Sequence, residues 1–216
     1  MTANPPPPLV PAVDPAVDEL LQDVDGVVVD WDGTVVDNAE IRLSALQQTL
    51  APYGVDVDSQ WYTLNCGLPI RELITRLAGR RTLPVEEIVH ASRLLLLGGP
   101  PPRLIDSTID LLRRAEVLGL PRAVASAAAG VLVHHFVQRL GLGMLLPVVV
   151  TAESVTRGKP APDAYLEAAR LIGRAPARCL AVDDAPDGIT SALEAGMRVL
   201  AVRDGLLVPV PGLIPG

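Results

Sequence analysis

The spacing of apolar positions changes along the chain, and the changes divide it. Val27-Val28-Val29 is a short β-branched run between Gly26 and Asp30. That is the pattern of a strand buried on both faces. From 38 to 102 the period is helical instead. Residues 39–53 place Ile41, Ala45, Leu46 and Leu50 near one face, and 69–79 and 84–97 read as further helices, each opened by proline and followed by glycine. The run Gly98-Gly99-Pro100-Pro101-Pro102 then breaks the chain. Beyond it, helical stretches at 105–119, 128–141, 162–173 and 186–196 alternate with apolar runs at 121–126, 145–151, 179–184 and 197–203.

Strands alternating with helices imply right-handed crossovers and a parallel sheet covered on both faces. The expected fold class is therefore α/β, a Rossmann-like three-layer core formed by residues 21–37 and 103–204. A small α-helical cap domain, residues 38–102, is inserted after the first strand. Residues 1–20 contain four consecutive prolines in MTANPPPPLVPAVDP and read as a disordered leader. Residues 205–216 read as a loose Pro/Gly-rich tail.

Composition narrows the function classes. The 216 residues are 49% hydrophobic but only 3% aromatic, so the core rests on Val, Leu, Ile and Ala. A formal charge of −7 argues against a general grip on nucleic acid. No apolar run reaches the ~18 residues of a membrane span, and the N-terminus has no signal-peptide pattern. The two cysteines, Cys66 and Cys179, have no CxxC spacing and read as free thiols in a reducing compartment. The expectation is a cytoplasmic protein, monomeric or weakly homodimeric, with no nucleic-acid or membrane partner.

Candidate chemistry lies where ligands bind in open α/β sheets, beyond the carboxyl ends of the strands. Those ends carry Asp30, Ser126, Thr151 and the pair Asp183-Asp184. The stretch DVDGVVVDWDGTVVD holds Asp-x-Asp-Gly twice, at Asp23 and at Asp30. Only the second copy follows a strand-like run. Asp23 and Asp25 read as a solvated turn before that strand. Neither copy has EF-hand spacing.

Asp30-Trp31-Asp32-Gly33-Thr34-Val35-Val36-Asp37 resembles the first motif of the haloacid dehalogenase superfamily. Ser126 in AVASAA, Lys159 in RGKPAPDAY and Asp183-Asp184 in CLAVDDAPDG resemble the other three motifs, in the required order. The resemblance runs from about residue 26 to 204, and the helical insert is similar to that of the branch containing β-phosphoglucomutase and phosphoglycolate-type phosphatases. It implies a Mg²⁺-dependent phosphatase acting on a small phosphorylated metabolite. In that reading Asp30 is the nucleophile that forms an aspartyl phosphate, and Asp32 is the general acid/base. Ser126 and the backbone of Ala127 bind the phosphoryl group, and Lys159 neutralises it together with Asp30. The ligands implied for Mg²⁺ are Asp30, the backbone carbonyl of Asp32, and Asp184, with Asp183 behind it and Asp187 as a weaker candidate.

The cap stretch Asn65-Cys66-Gly67-Leu68-Pro69-Ile70-Arg71 resembles the family's site-facing segment. It makes Gly67 and Arg71 candidate substrate contacts, Arg71 for a second anionic group. The linker PPPRLIDST departs from the family's frequent Pro-Gly at that point. A phosphosugar mutase would use the same core residues, and an inactive binding module would have the same fold. The order Asp, Ser, Lys, Asp-Asp does not suit a two-component receiver.

Overall fold

The computed structural model describes residues 15–210. Its main sheet has six strands, in the order β5-β4-β1-β6-β7-β8. These are β1 (Gly26–Val29), β4 (Arg122–Ala125), β5 (Val148–Val150), β6 (Cys179–Asp183), β7 (Arg198–Arg203) and β8 (Leu206–Pro209). All neighbours pair parallel except β7 and β8, which run antiparallel.

The period of two along each strand makes the three layers. Val27 and Val29 of β1, Val124 of β4, and Leu180 and Val182 of β6 face one side. There they pack with residues of helices α1 (Pro15–Gln22), α6 (Asp106–Val117) and α7 (Gly130–Arg139). Val28, Ala123, Ala125 and Ala181 face the other side, against α8 (Asp163–Leu171) and α9 (Pro186–Glu194). Unbroken apolar runs within the strands are what a sheet covered on both faces requires.

Four α-helices form the insert between β2 (Val36–Asp37) and β3 (Arg103–Leu104): α2 (Ala39–Leu50), α3 (Ser59–Asn65), α4 (Ile70–Ala78) and α5 (Val85–Gly98). They gather a hydrophobic cluster of their own around Leu46, Leu50, Tyr62, Leu73, Ile74 and Ile88. Helix α3 was not marked by periodicity. Its start is fixed by Asp58, whose carboxylate accepts from the backbone N–H of Trp61 at 2.7 Å. The two connections to the core are not loose. They pair as an antiparallel ribbon of β2 and β3.

The expected disordered leader and the expected loose tail both reach into regular structure. Residues 15–20, assigned to the leader, belong to α1, which buries Val17 and Leu21 one helical turn apart in the main core. Arg114 of α6 holds that helix through Asp18. Residues 206–209, assigned to the tail, form the edge strand β8 on β7. Proline and glycine content there suggests looseness, whereas Leu207 packs on the core and the backbone completes a ladder. The rest of both assignments, residues 1–14 and 211–216, lies outside the described residues.

Candidate active site

Three adjacent strands, β4, β1 and β6, bring their carboxyl ends together. Ser126 follows β4, Asp30 follows β1, and Asp183 ends β6. The backbone N–H of Asp30 donates to the Val182 carbonyl at 2.9 Å, which carries the ladder past the end of β1 and fixes the height of its side chain.

The chain then turns sharply. The N–H groups of Val35 and Val36 donate to the Trp31 carbonyl at 3.0 and 3.1 Å, and Gly33 N–H donates to Val36 at 2.8 Å. Trp31 points into the core and is 1% exposed, so it packs rather than lining the site. Gly33 has φ +80° in this turn. A Cβ there would collide with the Asp184 carboxylate, so glycine is required both for the conformation and for the approach.

Lys159 reaches this point from the loop before α8. Its ammonium donates to Asp30 Oδ1 at 2.6 Å and to Asp183 Oδ2 at 2.7 Å. Asp183 Oδ2 also accepts from the Tyr165 hydroxyl at 2.6 Å, and its Oδ1 accepts from Ala185 N–H at 2.9 Å. Asp183 is therefore committed to protein donors. Asp184 accepts from the Thr34 hydroxyl at 3.1 Å through Oδ1. One carboxylate oxygen from each of Asp30, Asp183 and Asp184 lies within 4.8 Å of the other two.

So much negative charge in a buried place raises proton affinities. Burial pushes the Asp30 carboxyl well above the usual range, against the pull of Lys159 and with repulsion from Asp183, Asp184 and Asp32 adding to it. Burial and Asp183 push Asp184 up to about 6. For Lys159, burial alone would favour loss of its proton, but Asp30 and Asp183 outweigh it and hold the ammonium charged. One ammonium does not balance three carboxylates. A hard divalent cation with oxygen ligands fits this donor set, and Asp184, with one hydroxyl donor, is the acid freest to bind it. Asp187 is exposed and lies outside the cluster.

Ser126 is 2% exposed, and its Oγ accepts from the Ala128 N–H at 3.0 Å, while Ala127 is exposed at the mouth of the strand ends. Asp32 faces the insert, where Asn38 donates to Oδ1 and Arg42 Nη1 lies 3.4 Å from Oδ2. Gly67 is exposed. Arg71 is bound elsewhere than expected. Its guanidinium forks onto Glu86 at 2.6 and 2.8 Å with more than half of its side chain exposed. Sequence reasoning missed Arg42, Asn38 and Tyr165. The only signal was position: Tyr165 lies six residues past Lys159, and Asn38 and Arg42 are one turn apart on the first helix after the motif.

A mostly parallel α/β sheet that presents a buried aspartate, a lysine bridge and a carboxylate cluster at its strand ends is an arrangement suited to phosphoryl transfer. Residues 27–202 match the haloacid dehalogenase-like hydrolase family, and the chain belongs to it. It is 31% identical to hexitol phosphatase A of Escherichia coli over 179 residues, covering 82% of each chain. It is also 31% identical to the fructose-1-phosphate phosphatase YqaB of that organism, covering 82% of this chain and 96% of the relative. Among solved structures, CbbY from Rhodobacter sphaeroides in complex with phosphate superposes with a TM-score of 0.72 at 25% identity, over 82% of this chain and 84% of that one. A β-phosphoglucomutase from Clostridium difficile has the same TM-score, 0.72, at 19% identity over 84% and 85% of the two chains, a likeness of fold. Its family and its relatives make this chain a phosphatase.

Proposed function

We propose that the chain hydrolyses small phosphorylated metabolites of the sugar-phosphate kind, with Mg²⁺, through a phosphoaspartate at Asp30. The observation that carries this reading is the Lys159 ammonium shared between Asp30 and Asp183 beside Asp184. It is the charge arrangement that lets a carboxylate approach a phosphate. The names of the sugar-phosphate phosphatases among the relatives support the substrate class.

In this mechanism an Asp30 carboxylate oxygen attacks phosphorus in line, and the bond from phosphorus to the substrate oxygen breaks. Asp32 gives its proton to that departing oxygen, then takes one from the water that attacks the phosphoaspartate and frees inorganic phosphate. The Ser126 hydroxyl and the Ala127 N–H hold phosphoryl oxygens, and Lys159 offsets charge as it accumulates. Asp30, the Asp32 carbonyl and Asp184 would hold the cation, with Asp183 orienting Lys159 behind them. When bound, Mg²⁺ supplies the remaining neutralisation between carboxylate and phosphate. In this reading Gly67 borders the substrate, and Arg71 contacts it when the Arg71–Glu86 pair opens.

The test is phosphate release from p-nitrophenyl phosphate and a sugar-phosphate panel, with Mg²⁺, with EDTA, and for Asp30→Asn. Release that requires both Mg²⁺ and Asp30 is the expected result. Release that survives Asp30→Asn would overturn it. Conversion of glucose 1-phosphate to its 6-phosphate without phosphate release would move the chain to the mutases.

A further inference from the structure

Asp183 is docked in a niche of its own behind the other acids. Its carboxylate lies against the first turn of α9, where Gly188 leaves it room, since a Cβ on that glycine would collide with both oxygens. Three donors hold it there. Ala185 N–H donates to Oδ1 at 2.9 Å, and Oδ2 accepts from the Lys159 ammonium at 2.7 Å and the Tyr165 hydroxyl at 2.6 Å. A hydroxyl has one proton to give, and Asp183 takes it, because the Val182 carbonyl is 3.5 Å away. Tyr165 is fully buried on α8, in the cluster that holds Val28, Ala125, Ala168 and Ala181. Phenylalanine would supply the same apolar ring there, and a buried hydroxyl costs free energy unless it is bonded. The ring also lies 5.0 Å from the Lys159 nitrogen. One side chain thus touches both members of the Lys159–Asp183 pair.

We infer that Tyr165 is a positioning residue that keeps Asp183 as the partner of Lys159 and off the divalent cation. Distance alone does not keep it off, for an Asp183 oxygen lies within 4.8 Å of oxygens of both Asp30 and Asp184. Occupancy does. Oδ2 already accepts two hydrogen bonds, one for each lone pair, so a cation there must displace the tyrosine or the lysine. The acids are divided in this way: Asp30 and Asp184 are left for the cation, and Asp183 anchors the ammonium. The hydroxyl of Tyr165, rather than its ring, carries this division. Its purpose rests on the Mg²⁺-dependent phosphatase reading, but metal binding reports on it without turnover.

The test is calorimetric titration with Mg²⁺ of wild type, Tyr165→Phe, Asp183→Asn and the double variant. Once freed of the tyrosine proton, Asp183 should join the ion. Tyr165→Phe should then bind Mg²⁺ about 3- to 10-fold more tightly, a fraction of the strength of a hydrogen bond to a charged group. Asp183→Asn should weaken binding by a factor about 5-fold larger in the Tyr165→Phe background than in wild type. Equal factors in the two backgrounds would overturn the inference. So would unchanged or weaker binding in Tyr165→Phe, which with a lower melting midpoint would leave that residue a purely structural role. A crystal structure of Tyr165→Phe with Mg²⁺ should show an Asp183 oxygen on the ion, whereas wild type with Mg²⁺ should keep that oxygen on Lys159 and Tyr165. Asp183 on the ion in wild type overturns the assignment. On sugar phosphates, kcat should fall about 10-fold in Tyr165→Phe with KM little changed, since the ammonium loses its anchor. A wild-type kcat would overturn it. A wild type that binds Mg²⁺ but releases no phosphate refutes the proposed function, while the binding cycle still decides this inference.

Discussion

Lys159 and Asp30 stand 2.6 Å apart, nitrogen to oxygen, with both side chains less than one-tenth exposed. They are 129 residues apart in the chain and meet because the loop before α8 folds over the end of β1. A second contact, to Asp183, fixes the ammonium between two acids, and the Tyr165 ring lies 5.0 Å beneath it. The nitrogen therefore cannot follow one partner without leaving the other. It is held where a phosphoryl group bound at Asp30 would need a positive charge.

Lys159→Met should lower kcat/KM for phosphate release by at least about 100-fold, the cost of losing a preorganised charge at the site of reaction. It also leaves Asp30 and Asp183 without their buried cation. Thermal melting should show a lower midpoint than wild type without metal, and a larger upward shift on adding Mg²⁺. Equal shifts in the two proteins would count against the shared neutralisation of this cluster by lysine and metal.

Asp184 sets a dependence on pH. Burial, then Asp183, raise its carboxyl from the ordinary 3.8 to about 6 despite the bond from Thr34. A folded-state value above the unfolded one means that the folded chain holds the proton more tightly. The contribution to stability is complete below the unfolded value and is lost as pH rises through about 6. Asp30 shifts in the same direction. In EDTA, the melting midpoint should therefore drop more steeply for wild type than for Asp184→Asn across that interval. Protons and Mg²⁺ compete for the same oxygens, so Mg²⁺ titrations by calorimetry should give weaker binding as the pH is lowered through it.

Gly33→Ala should damage both backbone and site. Its φ of +80° costs an alanine about 1–2 kcal/mol, and the new methyl would displace the Asp184 carboxylate. The expected result is a modest fall in melting midpoint with a disproportionate rise in the Mg²⁺ concentration needed for half-maximal activity. A variant with normal metal dependence would show that Asp184 is not placed by this contact.

The alternation of strands and helices was legible because the core strands carry unbroken apolar runs, as at Val27-Val28-Val29 and Cys179–Val182. The acids were legible because they end those strands, where side chains leave the core together. Local patterns could not say which cap cation meets the acids. Arg42 looks like any polar residue on an amphipathic helix, and only the docking of α2 turns it toward Asp32. Arg71 sits in the stretch that resembles a site-facing segment, yet Glu86, fifteen residues on, captures it. Composition misread both ends of the core for one physical reason. Proline opens α1 and closes β8, where a missing N–H costs nothing, and Val17, Leu21 and Leu207 still have apolar surfaces to bury.

Strand β8 also protects the molecule from its own copies. Without it β7, whose middle four residues are buried, would offer a free row of amide and carbonyl groups for edge-to-edge polymerisation. The strand that takes the outer place is only four residues long, runs against the others, and ends in Pro209, which has no N–H to offer a newcomer. Clipping the chain after Arg203 should therefore leave the catalytic acids in place and yield a protein that gathers into fibres or precipitates on concentration.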